Sequence, residues 1–359
     1  MLQQTRIAAA TPYYRTFLDR FPTLESLAGA READVLAAWA GLGYYGRARH
    51  LREAARLVVR EHGGRVPDDP AAFARLPGVG RYTAGAVLSI AFDRALPALD
   101  GNVARVLSRL SALPASVRDP RGAGALWALA TSLVPMRRPG DWNQALMELG
   151  ATVCTPRTPR CGTCPVRGSC LALAMGRVAE FPPPSLRRAG ERLRQAVVLI
   201  ERRGRMLVTR RAGPLLAGLW EPPGVELEGA GSARPAGPRS SARLRLGMAR
   251  TAWVRRAPCR RSADVDVRAR AAVARCALSA RLLALGLRAR LAPTEQIIRY
   301  TITHRDIEAE VWRGMLLGAA PRSARLRWVD PQRPGVALTA LARKAGRIVA
   351  SGAGHERDS

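Results

Sequence analysis

Leu76-Pro77-Gly78-Val79-Gly80-Arg81-Tyr82-Thr83-Ala84-Gly85, followed by Leu99-Asp100-Gly101-Asn102-Val103, is the stretch that decides the fold. It reads as a helix, a glycine hairpin, a second helix, and one acidic residue at the mouth of a third. Gly78 and Gly80 have no side chains, so backbone N–H groups there can approach an anion closely. The helix that follows turns its positive dipole end toward the same spot. An anion held there is most simply a DNA phosphate, and Asp100 then stands one helix away from the bound strand. Singly, G-x-G is a common turn and an Asp before a helix is most often an N-cap. In this order the pieces suggest chemistry on a nucleotide.

Working outward, residues 11 to about 175 read as an array of short helices. Apolar positions recur at three and four spacing, as in Val35, Leu36, Trp39 and Leu42. Pro22, Pro67, Pro77, Pro114 and Pro139 punctuate helix ends. Residues 176–193 carry Phe181-Pro182-Pro183-Pro184 and several Arg, the chemistry of a linker. Beyond it, Ala196–Ile200 and Met206–Thr209 are β-type runs separated by Arg203-Gly204, a hairpin signal. Tyr300–Thr303 and Ala309–Trp312 are further strand candidates. The fold class expected is an all-helical domain over 1–175 followed by an α+β domain over 194–350. Within the latter, 231–275 holds twelve Arg against Asp264 and Asp266 with little periodicity, and reads as a poorly specified insertion or an altered reading frame.

At 359 residues the chain suits two domains, and its net charge of +30 suits a polyanionic partner. Nearly all of that charge is Arg, Lys344 being the only lysine, so part of it reflects the base composition of a GC-rich genome. No apolar run approaches the roughly 18 residues of a transmembrane span, and no secretory signal opens the chain. The expectation is a cytoplasmic, nucleoid-associated bacterial protein, monomeric and without membrane contact.

Of the six cysteines, Cys154, Cys161, Cys164 and Cys170 fall together with the spacing C-x6-C-x2-C-x5-C. Such a cluster implies a reducing compartment. Short, irregular spacing suits the wrapping of one [4Fe–4S] cube. A tetrahedral zinc site is the alternative, although zinc ribbons usually pair two C-x2-C knuckles and only one is present. Arg157 and Arg160, on the loop between the first two ligands, could meet DNA phosphates.

Taken together, the hairpin, Asp100 and the cysteine loop resemble the helix-hairpin-helix DNA glycosylases of the endonuclease III superfamily, and most closely the MutY-type adenine glycosylases. Leu2–Thr5, Gly41–Tyr45, Asn143–Gly150, Leu215–Gly224 and Thr301–His304 carry the likeness further. It covers Met1 to about Ala230 and resumes from about Ala292. What the resemblance implies is base-excision repair: adenine opposite 8-oxoguanine or guanine is flipped out of the duplex and its N-glycosidic bond hydrolysed. Asp100 is then the carboxylate that supports the positively charged sugar, held by Asn102. Gln3, Gln4, Thr5 and Tyr44 surround the lesion pair, Gln144 lines the adenine pocket, and Gly78 and Gly80 take the phosphate. The second domain is Nudix-like, and Thr303 and His304 contact the damaged guanine. It carries no hydrolase box, since Cys276–Leu287 contains no carboxylate.

Bifunctional relatives carry a Schiff-base lysine where this chain has Tyr82. The reading is therefore a monofunctional glycosylase, with Tyr82 either donating a hydrogen bond near the sugar or simply packing. In the family the general acid is a Glu just before the segment that here is Met1–Thr5. The expectation is that the chain begins after that Glu, from a misplaced start or a truncated gene, and excises adenine poorly. The alternative reading is a truncated, non-catalytic protein that binds lesion DNA.

Overall fold

The computed structural model describes Met1, Thr5 and residues 7–117, 119–183, 190–213, 215–227 and 261–352, the side chains of 261–268 and 351–352 aside. Contacts divide the chain into two compact units, Met1–Val35 with Tyr44–Arg187, and Leu36–Gly43 with Arg188–Ser359. No helix among the described residues is long and apolar enough to cross a membrane.

The first part of the chain runs through α1 (Ile7–Arg20), α2 (Leu24–Gly29), α3 (Glu32–Ala38), α4 (Gly46–Glu61), α5 (Pro70–Ala74), α6 (Arg81–Phe92), α7 (Gly101–Leu110), α8 (Pro120–Leu133), α9 (Pro139–Glu148) and α10 (Leu171–Ala174). The starts are written locally. Asp69 and Asp119 each cap a helix whose first residue is proline, the ring fixing φ where no N–H partner is needed. Thr23 and Ser26 form a reciprocal capping box on α2. Val58, Phe73, Leu76 and Leu88 bury the seam around the hairpin, while Val103, Val106, Leu107, Leu126 and Leu146 bury α7.

The segment leading into Asp100 is clamped from two sides. A Cβ on Gly85 of α6 would lie 1.9 Å from the Pro97 carbonyl oxygen, so only glycine lets helix and segment touch. Asn143 of α9, almost fully buried, accepts from Ala98 N at 3.0 Å and donates to Leu96 O and Ser89 Oγ, each at 2.8 Å. Its side-chain amide thus stands in for a missing stretch of backbone pairing.

In the second unit, β1 (Glu191–Arg202), β2 (Arg205–Arg210), β3 (Trp220–Glu221), β4 (Gly224–Leu227), β5 (Ala289–Ile302), β6 (Arg305–Leu316) and β7 (Leu326–Val329) join one sheet among the described residues. Its path is β3-β2-β1-β6-β5, with β4 on β1 and β7 on β2. β1 and β2 form the expected hairpin, with φ +53° at Arg203 and +70° at Gly204. β1 pairs parallel with β6 from Glu191↔Arg305 to Ile200↔Gly314. The unbroken buried run Gln195–Ile200 follows from cover on both faces. Val197 and Leu199 meet α12 (Ala340–Gly352) through Leu341, Ala342 and Ala345. Ala196, Val198 and Ile200 meet α11 (Arg261–Ala284) through Ala274, Leu278 and Leu282. An all-helical part followed by an α+β part is thus the architecture observed.

Three details differ from the sequence reading. β1 opens at Glu191, inside the span read as linker, because its edge pairs with β6. Residues 261–275 belong to α11, where Ala274 packs on the sheet, while 228–260 and 184–189 lie outside the described residues. Thr303 is not in a strand: β5 and β6 pair from Ile302↔Arg305, which leaves Thr303-His304 as the turn.

Gly85→Ala should lower the unfolding free energy by about 1–3 kcal/mol or more, the cost of overpacking against fixed backbone. Gly124→Ala, in α8 with nothing within 4 Å of its new Cβ, should be neutral or stabilising by up to about 1 kcal/mol. Urea denaturation of the two variants checks the contrast.

Candidate active site and nucleic-acid interface

The hairpin between α5 and α6 is closed by Val79 N donating to Leu76 O at 3.1 Å, with Gly78 at φ +77°. A Cβ on Gly78 would meet His50 Cβ at 2.6 Å, so this glycine is demanded by both conformation and space. Gly80 caps α6 with no side-chain hydrogen bond. That leaves the positive end of α6 turned outward past a glycine whose Cβ position is open, a suitable cradle for a phosphate.

Tyr82 sits in the first turn of α6, and its hydroxyl approaches Met147 Sδ of α9 at 3.5 Å. Burial, and then the nearby Asp100 carboxylate, push its pKa above the ordinary tyrosine value, so it stays protonated and remains a donor. Asp100 is the N-cap of α7: Oδ1 accepts from Asn102 N and Val103 N, both at 2.8 Å. Oδ2 accepts from Asn102 Nδ2 at 3.2 Å. Asp100 therefore is a helix cap, and capping is what fixes a half-buried carboxylate beside Tyr82. The structure brings together Tyr82, Asp100 and Asn102, with Gly78 and Gly80 at the foot of the helix that carries Tyr82.

Sequence reasoning missed the group behind them. Arg105, one turn along α7, donates from Nη2 to Asn102 Oδ1 at 3.0 Å and to Gly150 O at 2.8 Å. Its Nε donates to Cys154 O at 2.8 Å. Gly150 lies in a π-helical turn, Leu149–Val153, and its own Cβ would come within 2.7 Å of Asn102 Cβ. The cysteine loop is thereby linked to the Asp100 carboxylate through Arg105 and Asn102. Only the i, i+3 spacing of Asn102 and Arg105 hinted at this.

The four cysteines and apolar residues, including Val106, Leu110 and Leu173, line a cavity of about 30 Å³, more than one water fills. Among the described residues no three His, Cys, Asp or Glu side chains converge on a single metal ion. The Cys161 thiol is pushed up by burial and then by the other three sulfurs, a repulsion that iron cations would offset. The donor set therefore fits an iron–sulfur cluster.

Of the adjacent tyrosines, Tyr45 is buried and Tyr44 is 55 % exposed. Tyr44 has φ +48°, strained for a bulky residue, and the Arg47 guanidinium lies over its ring at 5.6 Å. That conformation turns an aromatic outward, as a wedge would need. Thr5 lies 3.4 Å from Arg47 Nη1 and Nη2, while Gln3 and Gln4 lie outside the described residues. Gln144 is exposed on α9 and donates to Gly140 O at 3.2 Å. In the second unit, Thr303 has φ +57°, a costly conformation for a β-branched residue. Its Oγ1 donates to Ile302 O at 2.6 Å and lies 3.3 Å from His304 Nδ1.

A helical hairpin module with a four-cysteine loop behind its carboxylate helix defines an iron–sulfur helix-hairpin-helix protein. Residues 1–122 match the HhH-GPD superfamily base excision DNA repair protein family, and 154–170 match the iron-sulfur binding domain of endonuclease III. The chain is 42 % identical over 276 residues to the adenine DNA glycosylase of Rattus norvegicus, covering 64 % of this chain and 54 % of that protein. It is 44 % identical over 174 residues to that of Schizosaccharomyces pombe, covering 48 % of this chain and 38 % of that protein. Among solved structures, a thermostable thymine-DNA glycosylase is 31 % identical, with a TM-score of 0.44 over 48 % of this chain and 80 % of its own. The chain spans about half the length of the rat relative. Residues 1–122 and 154–170 thus carry the marks of an iron–sulfur helix-hairpin-helix base-excision repair module, and the chain is similar to adenine DNA glycosylases over about half of their length.

Arg105→Met strands the acceptors Asn102 Oδ1, Gly150 O and Cys154 O. Chemical denaturation should show a loss of about 2–4 kcal/mol, and a loss below about 0.5 kcal/mol would contradict the linkage described.

Proposed function

We propose that the chain is a monofunctional DNA glycosylase of base-excision repair that removes adenine opposite 8-oxoguanine or guanine in duplex DNA, acting as a monomer. The observation that carries this reading is the pairing of a fixed carboxylate, Asp100, with a protonated Tyr82 where a lyase needs an amine. The only lysine, Lys344, lies on α12 and donates to Arg299 O at 2.5 Å.

In this mechanism the hairpin amides take a backbone phosphate and Tyr44 wedges into the stack, while the target base swings out. The bond between the sugar C1′ and adenine N9 breaks, and its electron pair leaves with the base, which takes up a proton from solvent, balanced by the proton lost from the water that then adds at C1′. The sugar is left with oxocarbenium character. Asp100, its charge directed by the Asn102 and Val103 amides, stabilises that cation until water adds at C1′. Tyr82, still carrying its proton, donates near the sugar. Held by Cys154, Cys161, Cys164 and Cys170, an iron–sulfur cluster would supply rigid support for the loop. Thr303 and His304 contact the 8-oxoguanine left behind.

Asp100→Asn keeps an N-cap but removes the charge. In single-turnover assays on an adenine:8-oxoguanine duplex it should lower excision roughly a hundredfold or more while leaving duplex affinity within about twofold. An unaltered rate would remove Asp100 from the chemistry. Tight duplex binding by the unmodified chain without adenine release would select the binding-only reading.

Thr303→Ala with His304→Ala should reduce the preference for 8-oxoguanine over guanine roughly tenfold, the worth of one or two hydrogen bonds. Competition binding with the two duplexes reads this directly, and an unchanged ratio would place lesion reading elsewhere.

A further inference from the structure

Arg109 is 3 % exposed, and each of its guanidinium nitrogens is engaged. Nε donates to Phe181 O at 2.9 Å and Val178 O at 3.2 Å. Nη1 donates to Thr155 O at 2.8 Å and to Cys154 Sγ at 3.3 Å, and Nη2 donates to Pro156 O at 3.1 Å. Its own carbonyl oxygen lies 3.5 Å from Cys170 Sγ. One side chain thus joins the residues that open the cysteine loop to those that follow it, and it touches the first ligand's sulfur.

The guanidinium is a permanent cation, yet its oxygen partners are neutral carbonyls and no carboxylate pairs with it among the described residues. Arg105, a second cation one turn away on the same helix, repels it. A buried charge in that position is costly unless an anion compensates it. The anion available is the thiolate cage, which remains net negative around its iron.

We propose that Arg109 is the counter-cation of the iron–sulfur cluster, closing its loop and setting its reduction potential through the contact with Cys154 Sγ. The inference concerns the cluster and stands whether or not the chain excises adenine. A positive charge beside the cluster favours the electron-rich state, so removing it moves the potential to more negative values.

The test compares the parent chain, Arg109→Gln and Arg109→Lys, each purified with its cluster. Voltammetry reads the potential, and loss of the iron–sulfur absorbance under a chelator reads lability. Arg109→Gln should shift the potential to a more negative value and lose its cluster roughly tenfold faster. Arg109→Lys should stay near the parent potential while losing its cluster faster, since it keeps the charge but not the planar fork. A parent-like potential in Arg109→Gln would overturn the proposal. If Arg109→Gln takes up no cluster, the apo chains decide. An apo variant as well folded as the apo parent supports the proposal. An apo variant that unfolds where the apo parent does not makes Arg109 a structural clamp only, which overturns it.

Discussion

Two arginines on one face of α7 hold the carbonyl oxygens of the cysteine loop, Arg105 through Cys154 O and Gly150 O, and Arg109 through Thr155 O and Pro156 O. The same helix begins at Asp100. The height and roll of α7 therefore place the carboxylate, and the loop places α7. From the opposite side, Gly85 and Asn143 fix the backbone from Leu96 to Ala98 that delivers the chain to Asp100. A carboxylate that must meet a developing charge tolerates little play. The buried polar ties, each fully partnered at its named atoms, supply that rigidity without needing a large core.

This arrangement explains the division of labour within the first unit. The hairpin is held by a glycine that no side chain can replace and by a small apolar seam, so its backbone amides are presented in a fixed direction. Tyr82 grows from the helix that the hairpin starts, and Asp100 from the helix that the cysteine loop grips. The glycine hairpin, the Asp100 carboxylate and the cysteine loop are thus mechanically adjacent. In the second unit a sheet covered by helices on both faces supports a two-residue turn whose tip, Thr303, is held at a strained φ. Strain at an exposed tip is what a stiff scaffold can impose when a side chain must be aimed.

Much of this was legible in the sequence where the signal is local. The glycine hairpin, the Asp cap and the cysteine spacing each span a few residues and dictate their own geometry. The buried run Ala196–Ile200 announced a strand, and its lack of alternation followed from cover on both faces. The rest was hidden by distance along the chain. Arg105 and Arg109 find partners 45 to 72 residues away, and an Arg-rich composition masks two that are structural. Asn143 is visible as a motif residue, yet its buried amide acts on a segment 45 residues earlier. Thr303 was read as strand because β-branched residues favour strands, whereas pairing of Ile302 with Arg305 forces it into a turn. The parallel pairing of β1 with β6 leaves no local mark at all.

The proposed function rests on carboxylate chemistry at a flipped adenine. The most direct measurement incubates the protein with an adenine:8-oxoguanine duplex and follows free adenine by chromatography and strand breaks on a denaturing gel in the same samples. Slow adenine release, with the strand intact until alkali is added, is the predicted result. Strand cleavage without alkali, or release of a base other than adenine, would contradict it.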